Sequence, residues 1–433
     1  MALRALAIDF NSYFASVEQQ ERPELRGQPL IVVPVLAETS GSIAVSLEAK
    51  KLGLKRNVRV AEARRLCPGL IVVEARPEVY IRYHRRLKEV VATLAPVKKV
   101  QSIDELECEL SGDLALTQRA LTLGREIRAK IIREVGPCLR CSIGIGPNWF
   151  LAKLASDIEK PDGLVLLDKD DVPGELIRRG VQLAEFTGIG PSMEKRLRAA
   201  GIDSVEKLYA ADRARLRSIW GSVEGARFHD WMHGGVQERE AAQHNTIGHS
   251  QVLPPAQRNT TAALAALHRL LQKAAMRLRH ESYYAGGLQL SVGYRDGANW
   301  GDDLHFNETQ DTIHFTHVLN QLWSRRTHDK PPLQVGVILH RLLASHLHTA
   351  DLFEAEKEKS RTKLLHAVDT LNQTFGKNSV YFGGAHGATG YTPMRIAFTR
   401  IPEPEVEEID ATRQRRLKPK KPPAPPGDDC GST

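Results

Sequence analysis

Long apolar runs are missing from this chain. No stretch approaches the ~20 residues that a membrane-spanning helix needs, and the amino terminus reaches Asp9 after only a short apolar run, which is no signal peptide. A soluble, cytoplasmic protein is expected. Cysteine is sparse, five in 433 residues and widely dispersed, which suits a reducing compartment and excludes a disulfide framework. The one close pair, Cys138 and Cys141, has no second pair or nearby histidine to complete a zinc site. No charge of one sign dominates: 60 basic against 52 acidic residues leave a net charge of +8, compatible with a polyanion partner but no argument for one alone. No internal repeat is found. The length predicts roughly two to four structural units.

What the chain does have is a pair of acidic strand ends. The apolar run Leu3 to Ile8 closes at Asp9, and a more mixed run, Val97 to Ile103, closes at Asp104-Glu105. A strand buried on both faces reads as a continuous hydrophobic run, and the side chains at its end reach solvent or a cleft. Three carboxylates from two strand ends far apart in sequence can share a hard-cation site, because Mg²⁺ takes oxygen ligands and keeps positions open for phosphate. Two-metal phosphoryl transfer uses this arrangement, with metals roughly 3.5–4 Å apart. The plainer alternative is a solvated acidic strand end. Adjacent residues on a regular strand face opposite sides, so Asp104 and Glu105 can serve one site only if the backbone turns or bulges there.

Asn11 or Ser12 is expected to cap a helix over Tyr13 to Glu18, whose free N–H groups would seat a triphosphate. Phe14, on the first turn, either packs against a nucleotide sugar and excludes a 2′-hydroxyl or is a core aromatic. A small α/β insertion follows, with Lys50, Lys51 and Lys55. An amphipathic helix over 77–95 leads into the acidic strand, and a returning strand over 107–110, a helix over 114–134, a strand over 139–145 and a helix over 149–159 follow. Lys160, before a Pro-containing turn, is either a phosphate ligand or a favourable charge at a helix C-terminus. This order predicts an α+β, palm-like sheet with helices on one face.

Within the helical stretch 172–233, Gly188-Ile189-Gly190 reads as a helix-hairpin-helix turn that brings backbone N–H groups to a DNA phosphate, or as a tight turn with no function. After a polar linker, a helix over 259–280 carries Arg269, Lys273, Arg277 and Arg279. A strand from Leu288, a helix over 311–325 and a strand over 333–339 follow. They suggest a small α+β module laid on nucleic-acid backbone; the alternative is that the charge lies on a solvated face. The Pro- and Lys-rich end, Arg413 to Thr433, is expected to be disordered.

Taken in order, these pieces resemble the Y-family translesion DNA polymerases, particularly the UmuC and DinB group. The motifs that carry the resemblance are Asp9-Phe10-Asn11-Ser12-Tyr13-Phe14, Glu48-Ala49-Lys50-Lys51-Leu52-Gly53, Ser102-Ile103-Asp104-Glu105, Ser142-Ile143-Gly144-Ile145-Gly146, Leu151 to Asp157, Lys160-Pro161-Asp162-Gly163 and the Gly188 hairpin. The resemblance is dense over about 5–210 and extends to Phe375 to Gly384, which looks like the carboxy-terminal region of UmuC-type proteins.

The resemblance implies a right-hand polymerase architecture. Its parts would be a palm over 1–170 with fingers inserted at about 19–76, a helix-hairpin-helix thumb over 171–234, a linker over 235–248 and an α+β little finger over 249–345. A UmuC-like region over 346–402 and a disordered tail over 403–433 would follow. Asp9, Asp104 and Glu105, helped by the backbone carbonyl of Phe10, would hold two Mg²⁺ ions. Asn11, Ser12, Tyr13, Phe14, Lys50 and Lys160 would bind the dNTP, with Phe14 as steric gate. Gly188, Gly190 and Arg277 would contact primer-template DNA. Asp351-Leu352-Phe353 looks like the core of a sliding-clamp peptide, although the glutamine expected at its start is replaced. A UmuD-like or other mutasome subunit is a possible further partner, in the setting of SOS mutagenesis and a bacterial nucleoid.

One departure stands out. Where many relatives place Tyr and Arg to grip the triphosphate, this chain has Leu47 and Lys50. Leu47 donates nothing, and lysine supplies a point charge without the bidentate fork of arginine. Two rivals follow: a polymerase-derived accessory protein that binds DNA and clamp without synthesis, and a helix-hairpin-helix repair module with other chemistry.

Overall fold

The computed structural model describes residues 3–236, 245–327, 330–349, 355–375 and 379–388, together with Ile401. These fall into two compact units that part between residues 242 and 243. In the first unit the strands are β1 (Ala5–Phe10), β2 (Leu30–Val33), β3 (Ala44–Val45), β4 (Ile71–Glu74), β5 (Val97–Ser102), β6 (Glu105–Glu109), β7 (Cys141–Gly146) and β8 (Leu164–Leu166). The central sheet runs β5-β6-β1-β7-β8, antiparallel except where β7 meets β8. β1 and β7 are buried at every position, Asp9 and Ser142 included, as central strands covered on both faces are.

The register sorts this sheet into two unlike faces. Leu6 and Ile8 pair with Cys108, Leu106, Ile145 and Ile143, giving one face of large apolar side chains. Ala5 and Ala7 pair with Gly146 and Gly144 on the other, where Asp9 pairs with Ser142 and Glu105. Helix Thr117–Glu134 lies on the large-residue face, its Gly124 set against Ile143 and Leu164. Helix Trp149–Ile158 lies on the small-residue face, so close that a Cβ on Gly144 would stand 1.9 Å from the Ala152 carbonyl oxygen. Helices therefore cover both faces. The expectation of one covered face is corrected, because alternating small residues in β1 and β7 open the second face to a helix.

β3-β2-β4 forms a separate sheet within the stretch expected to be the fingers, with Ile31, Val33, Val45 and Val60 in its core. The chain leaves for this lobe at Arg22 and returns at Arg76, and both guanidiniums pair with Glu18, whose side chain is fully buried. Arg76 grips it bidentately at 3.0 and 2.6 Å, and the Tyr80 hydroxyl donates to it at 2.8 Å. The thumb helices Pro191–Ala199, Val205–Ala210, Arg213–Trp220 and Val223–Met232 share one core with Phe150, Leu151 and Leu154 of the palm. Asn148 Nδ2 ties the two by donating to the carbonyls of Trp231 and Gly235.

The second unit contains β9 (Thr246–Val252), β10 (Tyr283–Tyr294), β11 (Asn299–Thr309) and β12 (Pro332–Ala344), ordered β11-β10-β12-β9 and antiparallel throughout. Helices Thr260–His280 and Thr312–Ser324 pack on the face made by Leu288, Leu290, Val335, Val337 and Leu339. The linker expected over 235–248 is shorter than that, since β9 begins at Thr246. Helix Ala355–Phe375 docks on helix Thr260–His280 through a bidentate pair of Asp369 with Arg279, at 2.6 and 2.8 Å. Most of the expected UmuC-like region that is described is thus packed into this unit. The expected tail over 403–433 lies outside the described residues.

Candidate active site

Asp9 and Glu105 are directly opposed on β1 and β6, and opposed residues of an antiparallel pair project their side chains from the same face. Asp104 does not extend the strand before it. β5 ends at Ser102 and β6 begins at Glu105, so Ile103 and Asp104 form the two-residue turn of a hairpin. The backbone irregularity that the adjacent pair demanded is this turn. The Phe10 N–H donates to the Asp104 carbonyl at 2.9 Å and pins the turn to the end of β1. The Ser102 hydroxyl donates to Asp104 Oδ1 at 2.6 Å and sets the direction of the carboxylate.

Lys153, which the motif reading carried without a role, stands at the centre. Helix Trp149–Ile158 brings its ammonium 2.6 Å from Asp9 Oδ2, 3.1 Å from Glu105 Oε1 and 2.9 Å from Asp157 Oδ1. Lys160 reaches the same Asp9 oxygen at 2.7 Å and Asp157 at 2.6 Å. Burial works against an ionised Asp9, but the two ammoniums outweigh it and hold the carboxyl below its ordinary range. Asp104 and Glu105 titrate above theirs, first because burial penalises the charge and then because Asp9 is near. Crowded, partly desolvated carboxylates with an ammonium already lodged between two of them seek a cation. Their donors are all oxygen, so they fit a hard divalent ion.

The cationic side of the site is broader than expected. Lys50 is pushed below the ordinary lysine range by partial burial and then by the charges of Lys160 and Arg56. Arg56 also acts on Asp104, favouring its ionised form. The site motifs did not include Arg56. Ser12 precedes helix Tyr13–Glu21 in a left-handed conformation, φ 50°, with no side-chain cap. The expected capping by Asn11 or Ser12 is corrected: Asn11 instead donates to the Ser142 hydroxyl at 3.1 Å and accepts from the Asp162 N–H at 3.0 Å. The Ser12 hydroxyl is buried and has no hydrogen-bond partner.

Phe14 is buried and stacked on Tyr80 at 4.5 Å, and the Tyr13 hydroxyl donates to the Tyr80 carbonyl at 2.6 Å. In the thumb, Gly188 takes φ 96°, which a side chain would strain, whereas Gly190 has ordinary backbone angles. Arg277 is not a DNA-facing residue. It is buried and its guanidinium pairs with Glu281 at 2.8 Å. Arg269, Lys273 and Arg279 are buried as well, so the basic helix offers neither a nucleic-acid surface nor a solvated face there. Cys138 and Cys141 are free thiols that burial raises, Cys141 to about 12. Asp351, Leu352 and Phe353 lie outside the described residues. Among those described, no helix is long and apolar enough to cross a membrane.

Residues 8–157 match the impB/mucB/samB family, and 244–352 match the C-terminal domain of the same family. The DNA polymerase IV of Moorella thermoacetica is 32% identical over 389 residues, covering 87% of this chain and 94% of that protein. The chain belongs to the impB/mucB/samB family of Y-family DNA polymerases. A second family member, the DNA polymerase IV of Pelotomaculum thermopropionicum, is also 32% identical, over 87% of this chain and 93% of its own. Residues 181–221 match a SAM-like helix-hairpin-helix tandem, which agrees with the thumb. Among solved structures, a Y-family DNA polymerase chimera of Dbh and Dpo4 superposes with a TM-score of 0.66 at 21% identity, covering 79% of this chain and 99% of that one. That likeness shows the fold, the palm, fingers, thumb and little finger of the family.

Proposed function

We propose that this family member is a template-directed DNA polymerase of the translesion type. A primer 3′-hydroxyl attacks the α-phosphate of a dNTP, the new phosphodiester bond forms, and pyrophosphate leaves. The observation that supports this reading is the meeting of Asp9 and Glu105 with Lys153, and of Asp9 with Lys160, beside an Asp104 carboxylate aimed by Ser102. When bound by these three carboxylates and the Phe10 carbonyl, two Mg²⁺ ions would stabilise the attacking and leaving oxygens.

The chain's own residues do the positioning. Lys160 is over a third exposed and is free to swing from Asp9 to the triphosphate. Lys153 is only 10% exposed and stays, fixing the separation of Asp9 and Glu105. Lys50 and Arg56 add charge on the fingers side, and the unpartnered Ser12 hydroxyl offers a donor to a phosphate oxygen. Arg56 answers the weak grip expected of Leu47 and Lys50, which argues against an idle accessory protein. Phe14 borders this pocket as sugar gate, Gly188 and Gly190 place thumb N–H groups toward template phosphates, and a clamp would engage Asp351 to Phe353. Bypass of damaged templates in an SOS setting is the cellular role that fits.

Asp104→Ala should abolish Mg²⁺-dependent primer extension while leaving primer-template affinity intact. Undiminished extension by that variant would sink the assignment.

A further inference from the structure

The second unit carries a cluster of potential metal ligands that the palm site does not include. β10 lies between β11 and β12, and its Gly287 is opposed by His305 on one side and His340 on the other. Opposed residues project from one face, so both imidazoles rise beside Gly287, on the face away from buried Leu288 and Leu290. Backbones two strands apart are roughly 9.5 Å from each other, and a side chain at the middle position would separate the rings. Gly287 has none. A Cβ there would fall 2.3 Å from His340 Cε1 and 2.7 Å from its Nε2, so the ring occupies the space that glycine leaves open.

From there His340 meets His305, ring centroids 5.5 Å apart. Asp303, two residues before His305 and therefore on the same face, sets its Oδ2 3.1 Å from His305 Nε2 and 3.9 Å from His340 Nε2. Among the described residues this is the one group of three His, Cys, Asp or Glu residues whose ligand atoms all lie within 4.8 Å of one another. β11 breaks register with β10 immediately beyond His305, an irregularity of the kind that re-aims a side chain.

We propose that Asp303, His305 and His340 bind one Zn²⁺ ion on the open face of this sheet. Zinc takes imidazole nitrogen and carboxylate oxygen at about 2.0–2.2 Å, so neighbouring ligands of a tetrahedral site are roughly 3.3 Å apart. The observed 3.1 and 3.9 Å bracket that separation. Three protein ligands leave a fourth position for water or an external anion. The donor set differs in kind from the all-oxygen site of the palm, so Mg²⁺ and Zn²⁺ would sort between the two.

The test uses the full chain, stripped with chelator and titrated with Zn²⁺ by calorimetry in excess Mg²⁺, with Co²⁺ absorption as a second readout. Wild type should bind one Zn²⁺ per chain, and Co²⁺ should give the intense visible bands of a four-coordinate site. His305→Ala and His340→Ala should each weaken Zn²⁺ binding by about tenfold or more. The chain has 16 histidines, so Gly287→Ala carries particular weight. It removes no ligand, yet its methyl evicts the His340 ring and should weaken binding comparably. Asp9→Ala should leave this Zn²⁺ binding intact, which separates the site from the palm. No stoichiometric Zn²⁺ binding, or binding that these substitutions leave intact, would overturn the proposal.

Discussion

Gly144→Ala tests how the sheet builds the active site. The added Cβ would lie 1.9 Å from the Ala152 carbonyl oxygen and 2.3 Å from the Ser156 nitrogen, both backbone atoms of helix Trp149–Ile158. Neither can rotate away, so the helix must withdraw. Restoring 1.9 Å to the 3.4 Å of ordinary contact takes about 1.5 Å of movement. Lys153 rides on that helix, and its 2.6 Å bond to Asp9 would open to about 4 Å, too long for a hydrogen bond. Overpacking of this kind costs about 1–3 kcal/mol, a fall in melting temperature of about 2–4 °C per kcal/mol for a unit of this size. A misplacement of this order in a catalytic constellation costs about 10²-fold in rate. Single-nucleotide primer extension beside a thermal melt measures both effects. Gly124→Ala is the control, because its Cβ meets the rotatable end of Leu164 on the opposite face, and it should leave extension nearly intact. Full extension by Gly144→Ala, or equal loss in the control, would refute the idea that close helix approach sets Lys153.

Arg56→Ala should raise KM for the dNTP about tenfold, ~1.4 kcal/mol, with kcat little changed, as loss of uniform binding requires; an unchanged KM removes Arg56 from the pocket. Phe14→Ala should lower discrimination against ribonucleotides by at least about tenfold, and unaltered sugar selection in a competition assay would return Phe14 to the core alone. Glu18→Gln should lower stability at pH 7 by about 1–3 kcal/mol, less than a fully buried pair because Arg22 and Arg76 keep some solvent. Burial opposes the Glu18 charge, but Arg76, Arg22 and Tyr80 hold its carboxyl below the ordinary 4.5. A depressed carboxyl stabilises above its unfolded pKa and loses that contribution as pH falls through the folded one. The melting-temperature gap between wild type and variant should therefore shrink below about pH 4.5. A gap constant from pH 7 to pH 4 would show that charge is not the cause.

The legible parts of the chain were those that one physical demand dictates alone. The run Leu3 to Ile8 had to be a buried strand, and Asp104 beside Glu105 had to sit at a backbone irregularity. Both were readable, and the hairpin turn at Ile103-Asp104 supplied the irregularity. β9 and β11 escaped notice because they are sheet edges. Residues such as Asp302, Asp303 and Glu308 in β11 carry the polar character that protects an edge from mispairing. Arg277 misled for the opposite reason, since its charge promised a surface and the fold gave it Glu281. Lys153 lay inside a motif already noticed, but only the register of β1 against β7 reveals that small residues draw its helix down onto Asp9.

Asp9 meets two ammoniums before any ligand arrives. Two ammoniums thus serve Asp9 as counter-ions, and folding should not wait for metal as it does in small domains whose ligands repel one another until an ion is bound. Synthesis and chelation treatment become independent of the fold: a chelator should silence extension without lowering the melting temperature of the first unit. In the reaction proposed above, Lys160 would trade Asp9 for the triphosphate, freeing that carboxylate as the anion binds.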